Sequence, residues 1–233
     1  MRVPVGYNRV PGQDLQEETV MPILRHVALL VGLLLPAAAV ANEDRLYDPS
    51  PPPGSAFVRA VSCYAAGAAV DVRVGTTALG KLKPTEASAY RVVAPGELKA
   101  SFGTNSTTVK VEPGSFYTLV LRDGTGAAPL LTDQPSTNLS RAQVTLYNLT
   151  DAPSAALKLA DGSAAVVEAV ASGTASGRLV NAVTVDLGVW IGGKPGPTLP
   201  GRALQRGASY SVFLCPGADG ARATWVENTT STR

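Results

Sequence analysis

The chain has 233 residues, is 45% hydrophobic, and carries a formal net charge of +2 with a single histidine. A balance so near neutral offers no field of one sign for nucleic acid or anionic lipid. One histidine, His26, and two cysteines, Cys63 and Cys215, are too few soft ligands for a His-rich or Cys-rich zinc site.

In chain order the first element is an export signal over residues 1–41, with translation expected to start at Met21. Arg25 and His26 form a short cationic lead, Val27 to Leu35 an apolar core, and Ala39-Val40-Ala41 a small-residue cleavage site, so cleavage is expected between Ala41 and Asn42. The apolar run is too short to cross a bilayer, which takes about 20 residues. No second long apolar run follows, so the processed chain is expected to carry no membrane span. Cleavage also removes His26, and with it the imidazole that a Ser-His-Asp or Cys-His nucleophile requires.

Residues 42–54 form a stiff leader. Pro51-Pro52-Pro53 fixes an extended backbone with few amide donors, which excludes a helix or a central strand. Leu46 and Tyr47 are its apolar residues, and they serve either to dock the leader on the first domain or to contact a partner.

From residue 55 the period changes to two. Runs at 55–62, 68–75, 87–94, 97–102, 106–112 and 115–121 are short, rich in Val, Thr, Phe and Tyr, and separated by turns such as Pro95-Gly96 and Pro113-Gly114. In AAVDVRV, Val70, Val72 and Val74 alternate with Asp71 and Arg73, as in a half-buried antiparallel strand. Residues 134–140 are polar and turn-rich and read as a linker. The pattern then restarts at 142–148, 155–160, 164–170, 182–191, 208–214 and 222–227. No helical apolar stripe survives beyond residue 42. The second half echoes the first: in GSFYTLVLRDGTG and GASYSVFLCPGADG, Gly114 falls on Gly207, Tyr117 on Tyr210 and Leu121 on Leu214. The fold class is therefore all-β, two tandem antiparallel β-sandwich domains over residues 55–133 and 141–233.

Cys63 and Cys215 lie near opposite ends of the processed chain, and either bond across the two halves or pack as two separate buried thiols. Trp190 and Trp225 are read as core side chains, with sugar-stacking platforms as the alternative. Tyr117 and Tyr210 are read as packing residues whose hydroxyls reach a turn. The carboxylates are scattered singly along strands and turns, so no facing pair of the glycosidase kind is expected. The N-x-S/T triplets at Asn105, Asn138, Asn148 and Asn228 are assigned no function.

Two stretches, LYDPSPPPGSAFVRAVS (46–62) and GGKPGPTLPGRALQRGASYSVFLCPG (192–217), resemble the AlgF family of alginate O-acetylation proteins. The matching positions are Leu46, Tyr47, Pro49, Phe57, Val58, Arg59 and Val61, then Gly192, Gly193, Lys194, Pro195, Tyr210 to Leu214, Pro216 and Gly217. Ser62 stands where Asn is expected, and Cys215 where an aliphatic residue is usual. The resemblance implies a periplasmic accessory protein, not an enzyme and without cofactor, that docks acetyl-transfer partners during acetylation of alginate or a similar exopolysaccharide. Its implied partners are periplasmic and membrane-associated O-acetylation proteins, with the polysaccharide itself as a further contact. The alternative is a carbohydrate-binding or surface adhesion module.

Overall fold

The computed structural model describes residues 51–64, 67–122 and 128–231. The described residues contain strands and no helix. In the first half these are β1 (Ala56–Ser62), β2 (Val70–Val74), β3 (Thr77–Leu82), β4 (Tyr90–Val93), β5 (Gly96–Phe102), β6 (Asn105–Val111), β7 (Phe116–Leu121) and β8 (Leu130–Asp133). The second half contributes β9 (Ala142–Asn148), β10 (Ala155–Leu159), β11 (Ala165–Val170), β12 (Thr174–Val180), β13 (Thr184–Ile191), β14 (Lys194–Ala203), β15 (Ser209–Gly217) and β16 (Gly220–Glu227), and β17 (Thr230–Ser231) ends the described chain.

Each half builds two sheets around its own core. The sheet β4-β1-β7-β8 faces β3-β2-β5-β6 across Val58, Val72, Val74, Phe102, Leu119 and Leu121. The sheet β12-β9-β15-β16 faces β11-β10-β13-β14 across Val144, Leu146, Leu157, Leu187, Val189 and Leu214. Period-two patterning produces these cores directly. On β2, Val72 and Val74 are buried while Asp71 and Arg73 are exposed.

Two of the four sheets are mixed, and the other two are purely antiparallel. The central strands of these two sheets, β1 with β7 and β9 with β15, run parallel. Between them the chain visits the other sheet of its sandwich, and that excursion lets two strands return in the same direction. The second departure lies at the end of the chain. β17 leaves the second half and adds to the edge of the first, parallel to β4, with Thr230 opposite Tyr90.

Five strands carry no clear period-two signal. β14 contains Pro195, Pro197 and Pro200, which an edge strand accommodates because its outer amides need no partner. β12 is largely exposed, and β3 is interrupted by Gly80 at φ 112° beside a register shift. β8 and β17 are too short to show a period.

The duplicated tyrosines do the same job twice. Tyr117 Oη accepts the Glu112 backbone N–H at 3.0 Å, and Tyr210 Oη accepts that of Gln205 at 3.1 Å. Gly114 and Gly207 turn the chain between each donor and its tyrosine at φ 71° and 75°. Both are tyrosine corners, each closing the entry to the last long central strand of its half.

Candidate functional site

Alternation along β1 sends Val58 and Ala60 into the first core and Phe57, Arg59 and Val61 out of the opposite face. In an isolated sandwich that face would meet water. Here it meets the corresponding face of the second half, and the strands β1, β7, β9 and β15 are buried on both sides. The junction contains Val61, Cys63 and Val120 from the first sandwich, against Tyr147, Leu149, Phe213 and Cys215 from the second.

One end of this junction is apolar and covalent. Cys63 and Cys215 form a disulfide with Cα atoms 5.2 Å apart, at 3% and 1% exposure. Ala87 and Leu131 pack alongside.

The other end is built on a buried cation. Arg59 is 1% exposed, and its guanidinium donates to Thr118 Oγ1 at 2.9 Å, Asn228 Oδ1 at 2.7 Å, Tyr147 Oη at 2.9 Å and Ser211 Oγ at 2.9 Å. Three rings surround it, with centroids 4.5 Å away for Tyr90, 4.9 Å for Phe213 and 5.4 Å for Tyr147. The balancing anion is Asp133. Its Oδ2 accepts from Tyr90 at 2.8 Å and Thr118 at 2.6 Å, and its Oδ1 accepts from Tyr147 at 2.7 Å. The hydroxyls of Thr118 and Tyr147 link Arg59 to Asp133, each accepting from the cation and donating to the anion.

Burial pushes the Tyr147 hydroxyl up to about 12, with Asp133 adding to the shift and Arg59 opposing it. Burial likewise raises Tyr90 well above the ordinary phenol range. Both tyrosines stay protonated at physiological pH, and their donors are already committed to Asp133. The hub therefore ties the two halves together through donors that are already committed. Further ties join the halves: Thr224 Oγ1 donates to the Thr85 carbonyl at 3.0 Å, the Tyr90 N–H donates to the Thr229 carbonyl at 2.8 Å, and the Arg91 guanidinium donates to Ser231 Oγ at 3.0 Å.

A polar cleft of about 230 Å³ opens at one edge of the junction, lined by Thr132, Asp133, Gln143, Thr145, Tyr147 and Gly177 among others. Gly177 keeps it open, since a Cβ there would lie 2.7 Å from Thr145 Oγ1.

Of the residues singled out from sequence, the structure brings Cys63 and Cys215 together. Trp225 packs partly buried against the second core, tilted against Tyr210 at 6.1 Å with the Arg202 guanidinium 5.8 Å from its ring. Trp190 is not a core side chain. Its position on β13 faces outward, where its indole lies over Gly188 and Gly162 with Lys158 Nζ 5.3 Å from the ring centre. Ala41, Asn42, Leu46 and Tyr47 lie outside the described residues. Arg59 and Asp133 were missed as a pair: one matches a family position and the other sits beside a polar linker, and nothing local joins them.

A family model described as "Alginate O-acetyl transferase AlgF" matches residues 28–211. The chain belongs to the AlgF family. The alginate biosynthesis protein AlgF of Pseudomonas aeruginosa is 35% identical over 190 residues, spanning 82% of this chain and 86% of that one. Solved structures of the N-terminal and C-terminal domains of AlgF from P. aeruginosa also match. The first is 38% identical, covers 36% of this chain and 98% of its own, and superposes with a TM-score of 0.31. The second is 28% identical, covers 38% and 99%, and gives 0.36.

Proposed function

We propose that this AlgF family member is a non-catalytic periplasmic accessory protein of alginate O-acetylation, which holds acetyl-transfer partners on two joined sandwiches. The observation that carries this reading is family membership over most of the chain, together with a junction whose ionisable groups are all engaged with one another. His26 falls within the expected signal, and both cysteines are bonded, so neither supplies a nucleophile or base to an acetyl ester. Two sandwiches of separate core expose two outer sheets, which suits contact with two partners. Leu46 and Tyr47, carried on the Pro-rich leader, are the partner contact assigned by this reading.

A deletion strain is expected to make alginate with strongly reduced acetyl content, restored by the wild-type gene. Unchanged acetylation would overturn the reading, and acetyl-ester turnover by the purified protein would overturn its non-catalytic part. A second reading, a module that holds the polysaccharide itself, rests on Trp190 lying on an outer sheet face beside Lys158. It predicts that Trp190→Ala weakens binding of the purified protein to alginate, whereas partner docking predicts capture of O-acetylation proteins with either side chain.

A further inference from the structure

The disulfide is placed where no enzyme can reach it. Its sulfurs sit between the two sandwiches, walled by Val61, Val120, Leu149 and Phe213, in residues 3% and 1% exposed. Thiol–disulfide exchange requires a thiolate to approach one sulfur directly, so a bulky oxidant has no line of attack on the closed molecule. Each sandwich, however, owns a complete core and its own tyrosine corner, and neither core draws on the other half.

We infer that Cys63–Cys215 is formed by an exported thiol–disulfide oxidoreductase acting on an open form of this chain, and that the bond then traps the closed form. In the open form the two sandwiches are already folded and hang on the segment 134–140, with β17 released from the edge of β4. One cysteine thiolate attacks the oxidised active-site disulfide of the oxidoreductase, giving a mixed disulfide. The second thiolate displaces the enzyme, forming the Cys63–Cys215 bond and leaving the oxidoreductase as a dithiol. Two electrons pass to the oxidoreductase, and the two cysteine protons end on its dithiol.

The polar hub does not by itself hold the junction shut, so closure rests on the bond together with the apolar cluster of Val61, Val120, Tyr147, Leu149 and Phe213. Closing the junction strips water from Arg59, and its bonds across the junction largely replace ones that water supplied. Asp133 keeps Tyr90 and Thr118, both in its own sandwich, whether the junction is open or shut. The hub therefore selects one register while contributing little to the closed state against the open one. The bond makes closure permanent by holding the faces at high effective concentration. Cys215 occupies the position of Arg122 in the first half and Cys63 that of Leu149 in the second, so the trap is two changes on a repeated frame.

The inference rests on export and is independent of any role in acetylation, so the test uses purified processed chain alone. Oxidised protein, the same protein reduced by dithiothreitol without denaturant, and Cys63→Ser/Cys215→Ser are compared by small-angle scattering and amide exchange. The expected result is a larger radius of gyration for both bond-free forms, with strand protection retained in both cores. Reduction of the oxidised form should be slow in buffer and accelerate in urea below the unfolding transition. An unchanged scattering profile would overturn the inference, because the closed form would then stand without the bond. So would lost protection in either core, which would make the bond a folding staple, or reduction in buffer as fast as that of an exposed small-molecule disulfide.

Discussion

The two sandwiches are copies on their inner faces and opposites on their outer ones. Registers of the parallel pairs place Val58 with Val144 and Tyr117 with Tyr210 as equivalents, and each pair does the same work in its own core. One residue further along, Arg59 is matched by Thr145, Val61 by Tyr147, Cys63 by Leu149 and Val120 by Phe213. Inner positions are constrained by a repeated sandwich and so stay alike. Outer positions are constrained by each other across the junction, where small Val61 and Val120 leave room for the rings of Tyr147 and Phe213. Likeness within each sandwich reports the fold, and unlikeness between the facing sheets reports the docking of one on the other.

Arg59→Ala should have the largest effect. It removes the cation that balances the 9%-exposed Asp133 and empties the space between three rings. Breaking a buried charge pair from one side costs about 3–5 kcal/mol, although the intact pair adds little over water. Urea unfolding of the oxidised protein measures it. A loss near that of an ordinary surface substitution would show that the outer faces are merely in contact, and that the hub does not specify their register.

The next effect is alkaline. Burial pushes the Tyr147 hydroxyl up to about 12 in the folded protein from the ordinary phenol value of 10.0, and Tyr90 is raised further. The unfolded chain therefore loses these protons first. Stability from the two tyrosines is fully present below pH 10 and declines above it, with Tyr147 contributing its share up to about pH 12. The slope is about 1.4 kcal/mol per pH unit for each tyrosine. Tyr147→Phe should flatten the decline measured by unfolding between pH 10 and 11. An unchanged slope would place the titrating groups outside the junction.

Much of this asymmetry was written in the chain, but in two scripts of different clarity. The sandwich cores follow from alternation in runs such as Val70, Val72 and Val74, because burial on one face leaves a local period. The corners follow from the repeated Gly and Tyr. The junction leaves only a weaker mark: β1, β7 and β15 carry apolar residues on both faces, as in AFVRAV and SVFLC, which is how strands covered twice read. Which face meets which partner is a tertiary matter, so Arg59, Asp133 and Asn228 gave no joint signal. β14 was hidden for a local reason, since its three prolines are compatible with a strand only at a sheet edge.

The inner-face half of the comparison can be tested by equality. Tyr117→Phe and Tyr210→Phe each leave one backbone N–H without its phenol, at Glu112 and Gln205 respectively. Each should cost about 1 kcal/mol, and the two costs should agree. A clear inequality in urea unfolding would mean that the copies carry different loads despite matched geometry.

The smallest effect concerns Thr85, the one non-glycine residue with positive φ among the described residues, at 62°. It lies on the connection between β3 and β4, where its carbonyl accepts Thr224 Oγ1 across the junction and nearby Ala87 packs into the apolar end. A left-handed threonine is strained by about 1–2 kcal/mol. Glycine would relieve that strain, but it enlarges the unfolded ensemble by about 0.4–1 kcal/mol and loses the Thr85 Oγ1 bond to the Pro84 carbonyl. The terms nearly cancel, so Thr85→Gly should shift stability by less than about 0.5 kcal/mol. A larger gain would mean that the second sandwich forces this loop left-handed. In that case the gain should vanish in Cys63→Ser/Cys215→Ser, where the junction is free to open and the loop to relax.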